Sequence, residues 1–372
     1  MIPTYNRADH VGGAIRTVLR QSYDDVEAVV VDDGSTDETP SVLARYADDP
    51  RVVVRTNERN RGIAESFNRA AAAASGDLLC ILGDDDRWHP EKVRRQVDRM
   101  DALDDEYAVV YTGGVATSVA DGDIVTEFRP EPRGDIYPDV LRTFSLNPHS
   151  SHMVRRSCFE AVGGFDTDFP HGVDWEMNIR LARRYKFDFI DEPLVNRRIH
   201  DTNVSQTAES QARLYGWIRE KFADQYRRYP EAGRSMRTRH HRLSAHAAMR
   251  RGDRREAVVH CAKALRLSRS WLVLALLVTM LAGERSYRAR ERVYERLAGL
   301  VDRSATDADA TGGRDENGPV SEDRIDPVVD GGIEADADEF GRLARRWWER
   351  DGSGFEAGVG PDPSGSPRSP QR

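Results

Sequence analysis

The sequence predicts an α/β fold in which a mostly parallel, Rossmann-like sheet is flanked by helices. Three short apolar runs, at residues 26–31, 77–82 and 107–111, are nearly continuous, as in strands that are buried on both faces. Helical patterns at residues 11–21 and 62–74 alternate with these runs. This alternation indicates a parallel sheet, and ligands bind such sheets beyond the carboxyl ends of the strands.

The pattern changes twice further along the chain. Residues 1–205 carry the α/β pattern, whereas residues 206–302 form a small region that is helical throughout and includes one tetratricopeptide-like hairpin at 246–267. Residues 303–372 are rich in Asp, Gly, Ser and Pro, which predicts a disordered acidic tail. Within that tail, residues 340–348 (FGRLARRWW) are a candidate docking helix.

The composition excludes some classes of partner. The 372 residues include 63 acidic and 55 basic residues, and the net charge of −8 argues against a nucleic-acid partner. An acidic chain in which only four basic residues are lysines suits a high-salt cytoplasm, and a GC-rich genome is the alternative explanation. Three scattered cysteines indicate a reducing compartment rather than a disulfide framework: Cys80, Cys158 and Cys261.

The chain is expected to be cytoplasmic, either free or at the inner face of the cell membrane. Residues 1–5 lack the basic and apolar regions of a signal peptide. The longest apolar run, residues 271–282, is shorter than the roughly 20 residues of a membrane span. It is expected to be a buried helix. A membrane-surface helix is the alternative, because arginines follow it: Arg285, Arg288, Arg290 and Arg292.

Acidic residues follow two of the predicted strands. The stretch DDGSTD at 32–37 comes directly after the run at 26–31, where a carboxylate can accept hydrogen bonds from a base or a ribose. A turn in which Ser35 or Thr36 caps the next helix is the alternative. Asp84, Asp85 and Asp86 follow the run at 77–82. Three adjacent carboxylates repel one another, which favours a Mg²⁺ or Mn²⁺ site, and a solvated acidic loop is the alternative.

Two further residues are candidates for chemistry. Asp174 opens a predicted helix, where it is either a general base or an ordinary helix-start residue. His200 follows an apolar stretch and is either near a diphosphate or metal, or a structural histidine.

Taken together, seven segments resemble the large inverting family of family 2 glycosyltransferases, which have the GT-A fold. They occur in the order and at the spacings of that family and cover the first 205 residues. These segments are PTYNR at 3–7, VVVDDGSTDET at 29–39, NRGIAESFN at 60–68, ILGDDDRWHPEKV at 81–93, VGGFD at 162–166, DWEMNIRLA at 174–182 and RIHDTNVS at 198–205.

The resemblance implies a nucleotide-binding set. Pro3 and Tyr5 would line the nucleotide pocket, Asp32 would contact the base, and Asp84 would belong to the acidic motif that holds the ribose. The family implies a hexosyltransferase-type enzyme with a nucleotide-sugar donor, most often a UDP-sugar. The implied acceptor is a hydroxyl of a glycan or lipid-linked glycan, as in the biosynthesis of cell-surface polysaccharide or glycoprotein.

The resemblance also implies the reacting groups. Asp85 would ligate Mg²⁺ or Mn²⁺, His200 would lie near the metal or the diphosphate, and Asp174 would take the proton of the acceptor hydroxyl. The chain departs from the family pattern at two positions. Gly83 stands where many relatives have an acidic residue, and Phe67 stands where an arginine is common.

Other classes of protein fit these residues less well. A nucleotidyltransferase normally has a phosphate loop rich in Gly and Lys or Arg near its start, which residues 1–20 lack. The chain has neither the G-x-G-x-x-G stretch after the early strands that a dehydrogenase needs nor a P-loop. A degenerate transferase domain that acts as a scaffold is the non-enzymatic alternative, and the presence of Asp32, Asp85 and Asp174 argues against it.

Overall fold

In a computed structural model, strands and helices alternate from the first residues onward. The structure describes residues 1–120, 122–143, 146, 148–169, 172–200, 207–289 and 339–348. The first three strands are parallel in the order β1-β2-β3. Their bounds and those of the helices between and after them are β1 (Ile2–Thr4), α1 (Ala8–Leu19), β2 (Ala28–Asp32), α2 (Thr39–Ala44), β3 (Val52–Thr56) and α3 (Ile63–Ala73).

A second sheet has the order β4-β8-β6-β9-β5, and β7 pairs with β6. Of its strand pairs, β6 with β9 is parallel and the others are antiparallel. The elements are β4 (Leu78–Cys80), β5 (Arg87–Trp88), α4 (Lys92–Asp101), β6 (Tyr107–Ser118), β7 (Ile124–Phe128), α5 (Tyr137–Arg142), β8 (Met153–Arg155), α6 (Arg156–Ala161), α7 (Val173–Ala182) and β9 (Lys186–Ile199). The α/β class is confirmed, with the parallel pairing concentrated in β1–β3.

Backbone hydrogen bonds connect the two sheets. The terminal nitrogen of Met1 donates to the carbonyl of Cys80 at 2.8 Å, and the amide of Leu82 donates to the carbonyl of Met1 at 3.1 Å. The start of β1 therefore lies beside the end of β4. This contact brings the loops that follow β1 and β4 to the same edge of the sheet.

Alternation along β2 shows why helices cover both faces. Val29 and Val31 pack into one apolar cluster, which includes α3, α5 and α7. Ala28 and Val30 pack into another, which includes α1 and α4. Successive side chains of a strand point to opposite faces. A strand with apolar residues at every position therefore needs a helical layer on each side.

A helical region follows β9. Its helices are α8 (Ala208–Lys221), α9 (Ala223–Arg228), α10 (Pro230–Arg250), α11 (Arg254–Ser268) and α12 (Trp271–Leu281). The predicted hairpin pattern at 246–267 falls on the end of α10 and on α11, which pack through small residues such as Ala248, Ala257 and Cys261. None of the helices within the described ranges has the length and apolarity of a membrane span.

The tail contains one described helix, α13 (Glu339–Trp348). The helix of the candidate docking segment is present, and the expectation of a disordered tail stays a prediction for the rest of the tail. Phe340, Ala344 and Trp348 are at most 3% exposed because they pack on the second sheet. Residues 303–338 and 349–372 lie outside the described part of the chain.

Two histidines lie at a short 3₁₀ turn, His149–Ser151: His152 is fully buried, and His149 is partly buried with its Nε2 atom out of contact with solvent. The His149 ring lies edge-on to Phe67 and Phe165, at centroid distances of 6.0 and 5.8 Å. Burial lowers the pKa of His149 to about 3. Burial, with a smaller effect of His149, lowers the pKa of His152 well below its usual value. Both rings are therefore neutral at pH 7.

We expect acid to destabilise the fold through these histidines. A histidine in the unfolded chain has a pKa of about 6.5. The unfolded state therefore binds more protons than the folded state as the pH falls from 6.5 toward 3, and the free energy of unfolding decreases over that window. For His149 the shift from 6.5 to about 3 corresponds to roughly 5 kcal/mol at full protonation.

The measurement is urea unfolding between pH 7 and pH 4 for the unaltered chain and for His149→Phe. Nε2 of His149 has no hydrogen-bond partner among the described residues, so replacing the imidazole with a phenyl ring breaks no hydrogen bond of that atom. The variant should show a flatter decline of unfolding free energy with falling pH. Equal slopes would show that His149 does not stay neutral in the folded chain.

Candidate active site

A cavity of ≈1260 Å³ opens at the edge where β1, β2 and β4 end. Pro3 and Tyr5 line it from the end of β1 and the loop beyond, and Asp33 lines it from the residue after β2. Asp84 and Asp85 line it from the loop after β4. Typical pockets for one drug-sized ligand are about 300–1,000 Å³, so this cavity has room for more than one such molecule.

Another part of the wall comes from α7 and the helical region. It is formed by Gly172, Val173, Asp174, Gln211, Leu214, Tyr215 and Arg239. Gly172 precedes α7 with φ of 73°, and a Cβ there would lie 2.3 Å from Cδ1 of Leu214. Only glycine fits both the left-handed backbone and this close approach of α7 to α8.

The loops after β1 and β2 hold each other in place. The amide of Asn6 donates to Oγ of Ser35 at 2.9 Å, and Oδ1 of Asn6 accepts from the amide of Thr36 at 2.8 Å. Asn6 has φ of 53°, a conformation that asparagine tolerates better than most residues. Helix α2 has no side-chain cap, so Ser35 and Thr36 serve this loop pairing rather than the capping alternative.

Asp32 and Asp33 have different positions. Asp32 ends β2, and its Oδ1 accepts from the amide of Ser35 at 2.9 Å. Asp33 lines the cavity and accepts from Nδ2 of Asn57 at 2.6 Å and from the amides of Arg61 and Gly62 at 2.8 Å each. The base contact predicted for Asp32 stays a prediction, and Asp33 is the carboxylate of this pair on the cavity wall.

The three carboxylates after β4 have different surroundings. Burial, and then the charge of Asp85, raises the pKa of Asp84 to about 7. The same two causes raise the pKa of Asp86 to about 7. Asp86 accepts a hydrogen bond from the hydroxyl of Ser150, which also accepts from the amide of Gly83 at 2.9 Å. All three carboxylates line the cavity, and Asp86 is in addition engaged with the 3₁₀ turn.

Asp85 contacts the histidine that the sequence singled out. Nε2 of His200 lies 3.1 Å from Oδ2 of Asp85. The ring of His10, from α1, stacks on His200 at a centroid distance of 4.6 Å and an angle of 15°. The structure thus brings Asp84, Asp85 and His200 together, and adds His10, which the sequence analysis missed.

Asp174 is held at the start of α7. Gly172 is the residue before the helix, so Asp174 is not its N-cap, and Oδ1 of Asp174 accepts from the amide of Trp175 at 2.9 Å. Trp175 is 1% exposed and donates from Nε1 to the carbonyl of Val140 at 2.6 Å. Glu176 is fully buried and pairs with Arg180. These anchors fix the turn that presents Asp174 to the cavity.

The side chains at this site could hold a divalent cation only together with oxygen atoms of a bound substrate. In the part of the chain that the structure describes, no three His, Cys, Asp or Glu side chains are arranged to hold a metal ion. Mg²⁺, however, is usually bound by one or two carboxylates, waters and substrate phosphates. Asp85 with His200 beside it is such a partial set, and because burial and then the charge of Asp85 raise the pKa values of Asp84 and Asp86, a cation would favour their ionised forms.

Little in the sequence pointed to the remaining wall residues. His10 follows PTYNR by three positions on α1, and nothing in its pattern distinguishes it from a surface histidine. Tyr215 and Arg239 belong to the helical region, so their position on the cavity depends on packing across more than 100 residues of sequence. The place of Asp33 on the cavity wall could have been predicted from the sequence, because neighbouring residues at the end of a strand point in opposite directions.

Comparison with known proteins gives the same family as the motifs. Residues 1–163 match the sequence model of the family described as "Glycosyl transferase family 2". An uncharacterized glycosyltransferase of Rickettsia typhi is 27% identical over 222 residues, which are 58% of this chain and 68% of that protein. The chondroitin synthase of Escherichia coli is 28% identical over 205 residues, which are 55% of this chain and 29% of the synthase.

Solved structures share the fold at lower identity. S. aureus TarS 1–349 in complex with UDP-GlcNAc has a TM-score of 0.55 and 15% identity, with coverage of 79% of this chain and 90% of that chain. The mannosyltransferase PcManGT from Pyrobaculum calidifontis, in complex with GDP-Man and Mn²⁺, has a TM-score of 0.50 and 19% identity, with coverage of 76% and 78%. The expected GT-A fold is confirmed. The motifs, the fold and the family match agree that the chain is a glycosyltransferase, and its residues 1–163 match the model of glycosyl transferase family 2.

Proposed function

We propose that this enzyme transfers a sugar from a nucleoside-diphosphate donor to an acceptor hydroxyl, with inversion at the anomeric carbon. The observation that carries the proposal is that Asp84 and Asp85, from the loop after β4, share one cavity with Asp174, from the start of α7. Asp84 and Asp85 are suited to bind the donor, and Asp174 is suited to act on the acceptor. The size of the cavity accommodates both substrates.

The donor would lie against the ends of β1 and β4. Pro3 and Tyr5 supply a surface for the base, and Tyr5 is 42% exposed, so its ring is accessible. Asp84 would accept hydrogen bonds from ribose hydroxyls. A UDP-sugar is the donor that we favour, because the TarS structure is a complex with UDP-GlcNAc, and a GDP-sugar is the second choice from the PcManGT complex.

Asp85 and His200 would hold Mn²⁺ or Mg²⁺ on the diphosphate. The ion, when bound, would offset the negative charge that develops on the departing nucleoside diphosphate. An imidazole ligand suits Mn²⁺ better than Mg²⁺, so the contact between His200 and Asp85 favours manganese.

Asp174 would accept the proton of the attacking hydroxyl. Its place at the start of α7 would hold the carboxylate against the acceptor, on the side of the sugar away from the departing diphosphate. Attack from that side inverts the anomeric carbon. The proton would move to the carboxylate of Asp174, whose Oδ1 accepts from the amide of Trp175 and is oriented by it.

We expect nucleotide binding to stabilise the protein, and to depend on Asp85 where metal is present. A ligand at 100 times its Kd adds about 2.7 kcal/mol to the free energy of unfolding. The measurement is a thermal-shift panel of UDP, GDP and dTDP, each with and without Mn²⁺, at low and high salt. One nucleotide should raise the Tm more with Mn²⁺ than without it.

Asp85→Ala should abolish the Mn²⁺-dependent part of this shift. Asp48→Ala is the matched control, because Asp48 is an exposed carboxylate that does not line the cavity. A chain that no nucleotide stabilises, at either salt concentration, would contradict the proposed donor site.

We expect Asp174→Asn to lose turnover and to keep donor binding. The amide preserves the shape of the side chain but cannot accept a proton, and general bases typically contribute about 10²–10⁴ in rate. The measurement is kcat, together with the thermal shift by the nucleotide from the panel. Asp168→Asn, an exposed residue of the preceding loop, should keep both. Undiminished kcat in Asp174→Asn would assign the base to another residue.

The acceptor is proposed to be a lipid-linked glycan reached from the membrane surface. Helix α12 has an exposed apolar stripe with the spacing of a helix face, formed by Trp271, Leu274, Val278 and Leu281. Its opposite face packs on α11 through Val273, Leu276 and Met280. Exposed arginines at either end of α12 would face anionic headgroups: Arg266, Arg269, Arg285 and Arg288.

We therefore expect the full chain to float with vesicles that contain anionic lipid. Trp271→Glu combined with Leu274→Glu should leave the protein in the lower fractions, because two carboxylates on the stripe oppose insertion. Val259→Glu is the matched control, since Val259 is an apolar residue that is 45% exposed on α11, outside the stripe. Equal flotation of all three proteins would contradict the proposed membrane binding through the stripe of α12.

A further inference from the structure

Helix α13 is bound to the second sheet of the catalytic domain. Phe340, Ala344 and Trp348 recur at every fourth position and are 3%, 0% and 3% exposed. Arg345 and Arg346 are exposed on the opposite face. Such a helix has one apolar stripe and one basic face.

The sheet has a shaped slot for this stripe. The register between β6 and β9 shifts on either side of Gly113, and a Cβ on Gly113 would lie 2.4 Å from the ring of Phe340. Val115 packs with Ala344 and Trp348 and is fully buried. The absence of a side chain at position 113 therefore makes the room that the Phe340 ring occupies.

Polar and ring contacts fix the other end of α13. Nε1 of Trp348 donates to the carbonyl of Pro193 at 2.6 Å. The ring of Trp347 lies on His89 at a centroid distance of 4.1 Å. Buried tryptophans with a satisfied indole N–H are typical anchors of stable interfaces.

The slot adjoins a wall of the active-site cavity. Strand β7 pairs with β6 so that Phe128 lies opposite Gly114. The guanidinium of Arg129 lies over the Phe340 ring at 4.9 Å and donates to Glu127 at 3.0 Å. Phe128, Arg129 and Glu131 line the cavity. A displacement of α13 would therefore remove the ring on which a wall residue rests.

We propose that α13 is an intramolecular clasp that binds the slot of its own chain and holds residues 128–131 in place on the cavity wall. Phe340 is in this sense a positioning residue for the acceptor. The effect on the acceptor rests on the proposed function, whereas the binding of α13 does not. The 49 residues at 290–338, between the last described residue of the helical region and α13, keep the helix tethered, which raises its effective concentration at the slot.

The first test separates the helix from its tether. A specific protease site is inserted between residues 315 and 316 of the full chain, and the protein is cut and passed over a size-exclusion column at micromolar concentration. The tail fragment should remain with the catalytic fragment. Phe340→Ala with Trp348→Ala should release it, and Arg345→Ala with Arg346→Ala should not.

Elution of the uncut chain as a dimer that becomes monomeric in Phe340→Ala with Trp348→Ala would overturn binding within one chain, because α13 would then bind the slot of a second copy. Release of the unaltered fragment would overturn the clasp itself. Neither outcome depends on catalytic activity, so both are distinct from a failure of the proposed function.

The second test reads the effect on the cavity. In the uncut full chain, Phe340→Ala with Trp348→Ala should raise the KM for the acceptor by on the order of tenfold, with little change in kcat or in the nucleotide thermal shift. A synthetic peptide of residues 339–348 should restore the KM. An unchanged KM would overturn the positioning role, and so would a raised KM that the peptide does not restore.

Discussion

The arrangement of the site depends on three adjacent carboxylates held in one partly buried loop. Such charges repel one another strongly in a low dielectric, and neighbouring elements contact two of the three carboxylates. Ser150 donates to Asp86, and His200 contacts Asp85. The pKa of the third, Asp84, is raised by burial and by the charge of Asp85. These contacts connect the loop after β4 to the 3₁₀ turn and to the end of β9. The same carboxylate pattern that suits a metal-diphosphate site therefore also fixes the relative positions of three segments.

The fold and much of the site could be predicted because the relevant signals are local. Continuous apolar runs marked the buried strands, and acidic residues just after them marked the edge where ligands bind. The antiparallel pairing in the second sheet was not predicted, because strands that are buried on both faces have the same apolar pattern whether their neighbours are parallel or antiparallel. The base contact of Asp32 and the catalytic role of Asp174 stay predictions.

Other features required long-range packing. Tyr215 and Arg239 line the cavity through the packing of the helical region, and Gly172 allows the close approach of α7 to Leu214 of α8. The binding of α13 was visible in sequence only as an amphipathic patch, since the room for Phe340 comes from Gly113, more than 200 residues earlier. Composition also favoured disorder for the whole tail. Ten residues with a single apolar stripe are too few to change that average, although they are enough to bind a preformed slot.

The glycine at position 83 has a physical explanation in this chain. Many family members have an acidic residue there, and its absence suggests at first a weakened motif. A Cβ on Gly83, however, would lie 3.1 Å from Oδ1 of Asp85 and 3.2 Å from Oδ2 of Asp86, so a larger side chain would crowd both. A carboxylate at position 83 would also add a fourth negative charge to a loop in which two aspartates already have pKa values of about 7. Asp84 lines the cavity, so the loop presents a carboxylate there without that extra charge. The crowding and the charge together explain why a glycine suits position 83 in this chain.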